Sequence, residues 1–307
     1  MRKIQKIVGV LSSQEILELI NKNIIISGNG IEKDLIQPAS IDLRLGLKAW
    51  RVPASFLPGK ENKVSSRLKD LSMHEFSLID GAVLECGCVY IVKLLENVRL
   101  PDNLTGIANP KSSTGRLDVF TRLIVDGSME FEEVPAGYEG PLYAEISPRT
   151  FSVLVRTGSR LNQLRLRRGQ SFTTDKEMEL LQEHVGLVRN QSDVELPDKI
   201  KNGVPLSVDL VGENGLIGYK ARKHSMLIDI DKPNSYKREL FWEKITAEDL
   251  VYQKGNNNKN DQGSLILSPD AFYILASKEY VSVPSKYAAE MRAYDTKVGE
   301  FRAHYAG

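Results

Sequence analysis

Ala136–Ile146 reads AGYEGPLYAEI, a glycine-flanked aromatic turn that runs directly into a short apolar segment. Side chains of a strand alternate between its two faces, so along Pro141–Ile146 Glu145 shares a face with Tyr143. A carboxylate pointing inward from such a strand is costly without partners, which marks Glu145 as a functional candidate; pointing outward, it would serve a surface salt bridge. Segments of the same kind recur on both sides: IDLRLGLKAW, AVLECGCVYIVKL, LTGIANP, FSVLVRT and NQLRLRR, each broken off by Gly, Pro or Asn. Many short strands at close spacing predict a mainly β fold, a barrel or sandwich, with a few short helices. One helix is expected after Ser12, with Glu15 completing a capping box and Ile16, Leu17, Leu19 and Ile20 as its apolar face. Another is expected over Asp175–Gln182.

Composition excludes several classes. Among 307 residues, 41 Lys and Arg balance 40 Asp and Glu, so no global field favours nucleic acid or an acidic membrane. No apolar run reaches the roughly 18 residues that span a bilayer, and IVGVL near the start is too short for a secretory core. A cytoplasmic protein is expected. Cys86 and Cys88 make no disulfide framework; VLECGCVYIV reads as a strand carrying both on one face. His74, His184, His224 and His304 are scattered singly, and the H-x-E…P-C-x-x-C zinc signature of many nucleobase deaminases is absent, so no zinc is expected.

The chain also resembles itself. GAVLECGCVYIVKLLENVRLP matches GSLILSPDAFYILASKEYVSVP, with 183 residues from Tyr90 to Tyr273, and QPASIDL matches VPLSVDL, with 167 from Asp42 to Asp209. The difference fits an insertion in the second half, for which the polar stretch Gln253–Gly263 is the obvious loop. A tandem duplication is read, with a catalytic copy over 1–185 and a degenerate second copy over 186–307. Continued at that spacing, the second copy would run to about residue 352, so an incomplete second copy is expected.

Asn109–Arg116, NPKSSTGR, places two adjacent hydroxyls and a Gly between Lys111 and Arg116. Hydroxyls, backbone N–H groups and Arg are phosphate-binding chemistry, although no P-loop spacing is present and a solvated turn has the same composition. Taken in order, PASIDLRL (Pro38–Leu45), PKSSTGR (Pro110–Arg116), AGYEGPLYAEI and GSRLNQL (Gly158–Leu164) resemble the motifs of the dUTPase/dCTP deaminase superfamily, over about Leu11–Gly169 and more faintly over Gly203–Gly307. The nearest likeness is to the dCTP deaminase branch in a long tandem form.

That resemblance implies a distorted dUTPase-like β-barrel, duplicated in tandem, and hydrolytic deamination of dCTP to dUTP and ammonia, supplying dUTP for thymidylate synthesis. Deaminases of the family carry a glutamate seven residues after the aromatic of a G-[WY]-x-G turn; here Tyr138 leads to Glu145, implied to be the catalytic acid/base. Ser112 is implied to position water or base, and Arg116 to stabilise charge or hold the triphosphate. Lys111, Ser113, Thr114 and Gly115 complete the nucleotide loop, Tyr143 and Ala144 line the pyrimidine through their backbone, and Gln163 joins the binding set. Mg²⁺ is expected to arrive with the triphosphate, with no protein cage for it. Family members are commonly trimers with sites between subunits, so a homo-oligomer, possibly a trimer, is implied.

One departure bears on the branch. Both branches usually carry Asp three residues before the aromatic, where this chain has Pro135, which counts against hydrolysis of the phosphate chain; Glu132 or Glu133 replaces it if the preceding loop is rearranged. A dUTP diphosphatase, dual deaminase-diphosphatase activity, or nucleotide binding without turnover are the alternative readings. The arginines Arg156, Arg160, Arg165, Arg167 and Arg168 alternate in direction along their strands, which favours a solvated or interface face over one ligand site. In the second copy no alignment restores both Ser112 and Arg116: their counterparts are Asp295 and Gly299, or Ala293 and Lys297.

Overall fold

The computed structural model describes residues 8–169, 172–189, 200–252 and 263–291, so the loop over 253–262 and the counterparts at Ala293, Asp295, Lys297 and Gly299 lie outside the described residues. Two compact units are formed, and one strip of the later sequence, Met226–Pro233, belongs to the first.

In the first unit the strands that frame the site and its supports are β1 (Ser40–Val52), β2 (Ala82–Leu84), β3 (Val89–Arg99), β4 (Thr105–Pro110), β5 (Val119–Val125), β6 (Glu133–Val134), β7 (Glu139–Pro148), β8 (Val153–Val155) and β9 (Arg160–Arg168), with shorter strands at Gly9–Val10, Ile25–Ser27, Ile36–Gln37 and His74–Ser77 beside them. Seven of them form the main sheet in the order β6-β4-β9-β1-β3-β7-β5, every neighbouring pair antiparallel. The two ends of this path meet. The Ala108 N–H of β4 donates to the Glu132 carbonyl (2.8 Å), and the Glu132 N–H donates to the Leu123 carbonyl of β5 (3.0 Å). The Thr121 hydroxyl of β5 also donates to Asn162 Oδ1 of β9. Sealing both edges leaves a nearly closed barrel and removes unpaired strand edges from solvent. The mainly β, barrel-like architecture expected from the sequence is what the chain forms.

Helices flank the barrel. α1 (Ser13–Asn21) starts at the expected Ser12–Glu15 capping box and buries Ile16 and Leu19, while Leu17 is exposed. α2 (Val64–Leu71) buries only Val64 and Leu68, one turn apart. α3 (Ser112–Gly115) is a single turn. One strand reading needs correction. The strand expected through both cysteines breaks at Glu85–Cys88, where Gly87 has φ +79°, so Cys86 is exposed at a turn and Cys88 is half-buried. Only Gly adopts that backbone without strain.

Met226–Pro233 is held by a built contact. Its strand β11 (Ile228–Asp229) pairs in parallel with β8, whose other edge pairs with β2. Arg156 donates to both Asp229 oxygens (2.7 and 2.9 Å) and to Asp231 (3.3 Å). Those guanidinium bonds hold the Asp229 carboxyl down at about 2. A depressed carboxylate gives its full stabilisation above its unfolded value, about 3.8, and loses it as pH falls through the folded one. Arg156→Ala is therefore expected to raise amide exchange at Ile228 and Ile230 about severalfold at pH 7, since solvent screens a pair with a partly exposed guanidinium. The excess should shrink only near pH 2. Unchanged protection in the variant would show that strand pairing alone anchors the strip.

The second unit contains α4 (Asp175–Val185), begun by a Thr174–Glu177 capping box and ended at Gly186, φ +70°. Its sheet is β12 (Trp242–Thr246), β10 (Leu216–Ala221) and β13 (Tyr273–Leu275), with β10 central. The 183-residue offset maps β13 onto β3, and β10 pairs with β13 antiparallel as β1 does with β3. Among the described residues no helix is long and apolar enough to cross a membrane.

Candidate active site

Glu145 sits in the middle of β7, opposite Ile91 of β3 and Arg122 of β5, and is 1% exposed. Its Oε1 accepts from Arg122 Nη2 (2.6 Å) and Nε (3.2 Å); its Oε2 is buried without a hydrogen-bond partner among the described residues. Arg122 is fixed in turn. Nη2 donates to Ser55 Oγ (2.7 Å), and the guanidinium lies 3.5 Å above the Phe131 ring and 4.8 Å from that of Phe120. Stacking on aromatic faces suits a weakly hydrated, planar cation. Tyr143, on the Glu145 face as the alternation predicts, packs with Val52, Val64, Leu68, Ile91 and Ile124, with Phe131 beside them. Burial pushes the Tyr143 hydroxyl up. The outward surface salt bridge is excluded: Glu145 is inside.

The turn before β7 explains its own sequence. The Tyr138 hydroxyl donates to the Pro141 carbonyl (2.7 Å) and accepts from the Asp126 N–H (3.2 Å), folding the ring back over the turn. A Cβ at Gly140 would lie 2.6 Å from that hydroxyl, and Gly137 has φ +74°. Gly140 is thus required by the aromatic ring that locks the strand's entry, and Gly137 by the left-handed backbone of the turn.

A second polar locus lies on β1, α3 and β9. A cleft of about 380 Å³ is lined by Ser40, Asp42, Lys111, Ser112, Gln163 and Arg165, with Gln37–Ala39 at its edge. Ser40 Oγ donates to Gln163 Oε1 (2.9 Å), and Lys111 Nζ pairs with Asp42 Oδ2. Two cations, hydroxyls and an amide around an open cleft match phosphate and sugar oxygens. Lys111, Ser112 and Gln163 are therefore brought together as expected. Thr114 and Gly115 are buried inside the turn, whereas Ser113 and Arg116 are exposed. Glu145 is not among the residues lining this cleft.

Two expectations change. Tyr143 and Ala144 lie within β7, paired on one edge with β3 and on the other with β5. Ladders on both edges take up main-chain donors and acceptors, so recognition of a pyrimidine by the backbone at these two residues is not offered. The arginine series resolves into separate tasks: Arg156 to Asp229, Arg160 to Asp34 and Arg168 to Glu15 as ion pairs, with Arg165 at the cleft.

Sequence reading missed Arg122. Its signal was the alternating run VFTRLIV, Val119–Val125, a strand that carries one cation among apolar residues. Of the two acids offered as replacements for the missing Asp, Glu133 is exposed, while Glu132 has a buried oxygen and faces Arg122 and Glu145. Among the described residues no cluster of three or more His, Cys, Asp or Glu is placed to hold a metal ion.

The profile of the 2′-deoxycytidine 5′-triphosphate deaminase (DCD) N-terminal domain matches residues 7–170, and that of the C-terminal domain matches residues 174–307. The crystal structure of 2′-deoxycytidine 5′-triphosphate deaminase from Agrobacterium tumefaciens is 47% identical, with a TM-score of 0.87, covering 98% of this chain and 83% of that one. A protein of Sulfurihydrogenibium sp. named dCTP deaminase, dUMP-forming, is 26% identical over 158 residues, 50% of this chain and 81% of the relative. The dCTP deaminase of Haemophilus ducreyi is 29% identical over 120 residues, 36% of this chain and 58% of the relative.

Proposed function

Because the chain belongs to the 2′-deoxycytidine 5′-triphosphate deaminase family, we propose that it hydrolyses dCTP to dUTP and ammonia, with Glu145 as the acid/base. The observation that carries this reading is the Glu145 carboxylate: buried, oriented through one oxygen by Arg122, and left with a second oxygen that none of the described residues satisfies. Such an oxygen is suited to a water or to the amidine edge of cytosine. Water adds to C4 while Glu145 takes one of its protons and delivers it to N3, where it stays; Glu145 then takes the proton of the new C4 hydroxyl and delivers it to the amino group. The C4–N bond breaks, ammonia leaves and the carbonyl of uracil forms.

Lys111, Ser112 and Gln163 supply the nucleotide cleft, with Arg165 as a second cation for the phosphates. Mg²⁺ accompanies dCTP as part of the substrate, where it neutralises phosphate charge. The separation of Glu145 from this cleft, and the exposure of Ser113 and Arg116, support a homo-oligomer, a trimer in this reading, in which one protomer's Ser112–Arg116 segment meets its partner's Glu145. Free thiols at Cys86 and Cys88 support a reducing, cytoplasmic setting.

Incubation with dCTP and Mg²⁺ separates the readings. Ammonia and dUTP in equal amounts, without pyrophosphate, are expected. Pyrophosphate with dUMP would assign the dUMP-forming reaction in whose name the Sulfurihydrogenibium relative is described. Nucleotide binding without either product would favour a regulator.

A further inference from the structure

Glu132 occupies a backbone that its side chain disfavours. Its φ of +70° is in the left-handed region, which a residue with a Cβ adopts only under strain. The main chain is held there by the two hydrogen bonds that close the barrel, to Ala108 and to Leu123. The side chain is thereby fixed beside Arg122 and Glu145. Glu132 Oε2, like Glu145 Oε2, is buried without a partner among the described residues. Two carboxyl groups thus share one guanidinium, and every guanidinium bond to a carboxylate goes to Glu145.

Charge balance decides the state of the pair. One cation neutralises one carboxylate; a second ionised carboxyl in the same buried place is opposed by desolvation and by its neighbour. We propose that Glu132 is a positioning residue for the reaction: as a neutral acid it leaves Arg122 to Glu145, and when it ionises it competes for Arg122 and draws it off the acid/base. The proposal rests on the reading of Glu145 given above. Burial, opposed by the Leu123 backbone and by Arg122 and reinforced by Glu145, pushes the Glu132 carboxyl up to about 8. The groups facing it are Arg122 from β5 and Glu145 from β7; β4, packed against it through Ala108, has no ionisable side chain, and the adjacent Glu133 is exposed.

Two measurements test this. The first is kcat for ammonia release from dCTP between pH 6 and 9.5, for the wild type and Glu132→Gln. The wild-type rate is expected to fall about tenfold from pH 7 to pH 9, as a group titrating near 8 ionises, whereas the ratio of the two rates should stay near one in the variant. Superimposable profiles would overturn the proposal, because a merely structural Glu132 would change rate or stability without moving the limb. The second needs no turnover: infrared difference spectra of wild type against Glu132→Gln should show a protonated carboxyl at pH 7 that titrates away through about 8. In Glu145→Gln the same band should vanish at lower pH, since the neighbouring negative charge is gone and Arg122 has no other carboxylate beside it. A wild type without the band overturns the proposal; a Glu145→Gln protein that still deaminates dCTP overturns the assignment of Glu145 and leaves the band to be judged separately.

Discussion

Glu145→Gln is expected to lower kcat for dCTP deamination by about 10²- to 10⁴-fold while dCTP continues to bind, because acid/base shuttling contributes roughly that factor. The amide keeps the side-chain shape and an acceptor for Arg122 Nη2, so the barrel has no reason to rearrange. Arg122 retains its bond to Ser55 and its stack on Phe131. Binding should change little if Lys111, Ser112 and Gln163 hold the phosphates and sugar from their separate cleft. Ammonia release and equilibrium dialysis of dCTP read the two quantities independently. A kcat within tenfold of wild type would remove Glu145 from the chemistry. A parallel loss of dCTP binding would show that the carboxylate acts on the ground state as well.

Glu145 was legible in one dimension because its signal is local: a locked aromatic turn, a fixed step of seven residues and strand alternation. The capping boxes at Ser12–Glu15 and Thr174–Glu177 are local too, and both helices start where those residues stand. The second helix runs on to Val185, since only Gly186 ends it. Helix α2 escaped because VSSRLKDL has one apolar pair and no side-chain cap. Arg122 and Glu132 escaped for a different reason. Arg122 matters because antiparallel register sets it opposite Glu145, and Glu132 because its main chain fills the gap where the barrel closes. Register and closure join residues distant in sequence, and no local pattern records them. The cysteine turn shows the converse: alternating apolar letters read as strand until a glycine with positive φ interrupts them.

Glu96→Ala is expected to be among the most destabilising single substitutions in the first unit. Glu96 is wholly buried on β3; its oxygens accept from Arg44 N–H (2.8 Å) and Arg44 Nε (2.7 Å), while Arg44 Nη2 reaches Ser27 Oγ (2.9 Å) and the Gly30 carbonyl (2.5 Å). The pair lies just beyond the Leu45–Leu94 partners, the end of the β1–β3 ladder before its register breaks toward Ala49, so it joins the two strands next to that irregularity. Removing Glu96 leaves a buried guanidinium and an unpaired N–H, at a cost of about 3–5 kcal/mol, or roughly 6–20 °C in Tm. Arg44→Ala/Glu96→Ala should cost less than the sum of its single changes. Desolvation pushes the Glu96 carboxyl up despite Arg44, so the neutral acid is favoured by folding: this contribution is present below the unfolded value and fades as pH rises through the folded one. Glu96→Gln, which keeps an acceptor for the Arg44 N–H, should therefore cost less than Ala and flatten that dependence. The equivalent residue 183 positions on, Glu279, binds Ser207 through its N–H and hydroxyl in a half-buried setting. Water can replace those bonds, so Glu279→Ala should cost about 1 kcal/mol or less. Thermal unfolding of the two alanine variants in the full chain tests burial against sequence position: equal losses would mean that the repeat itself, and not the desolvated ion pair, sets the cost.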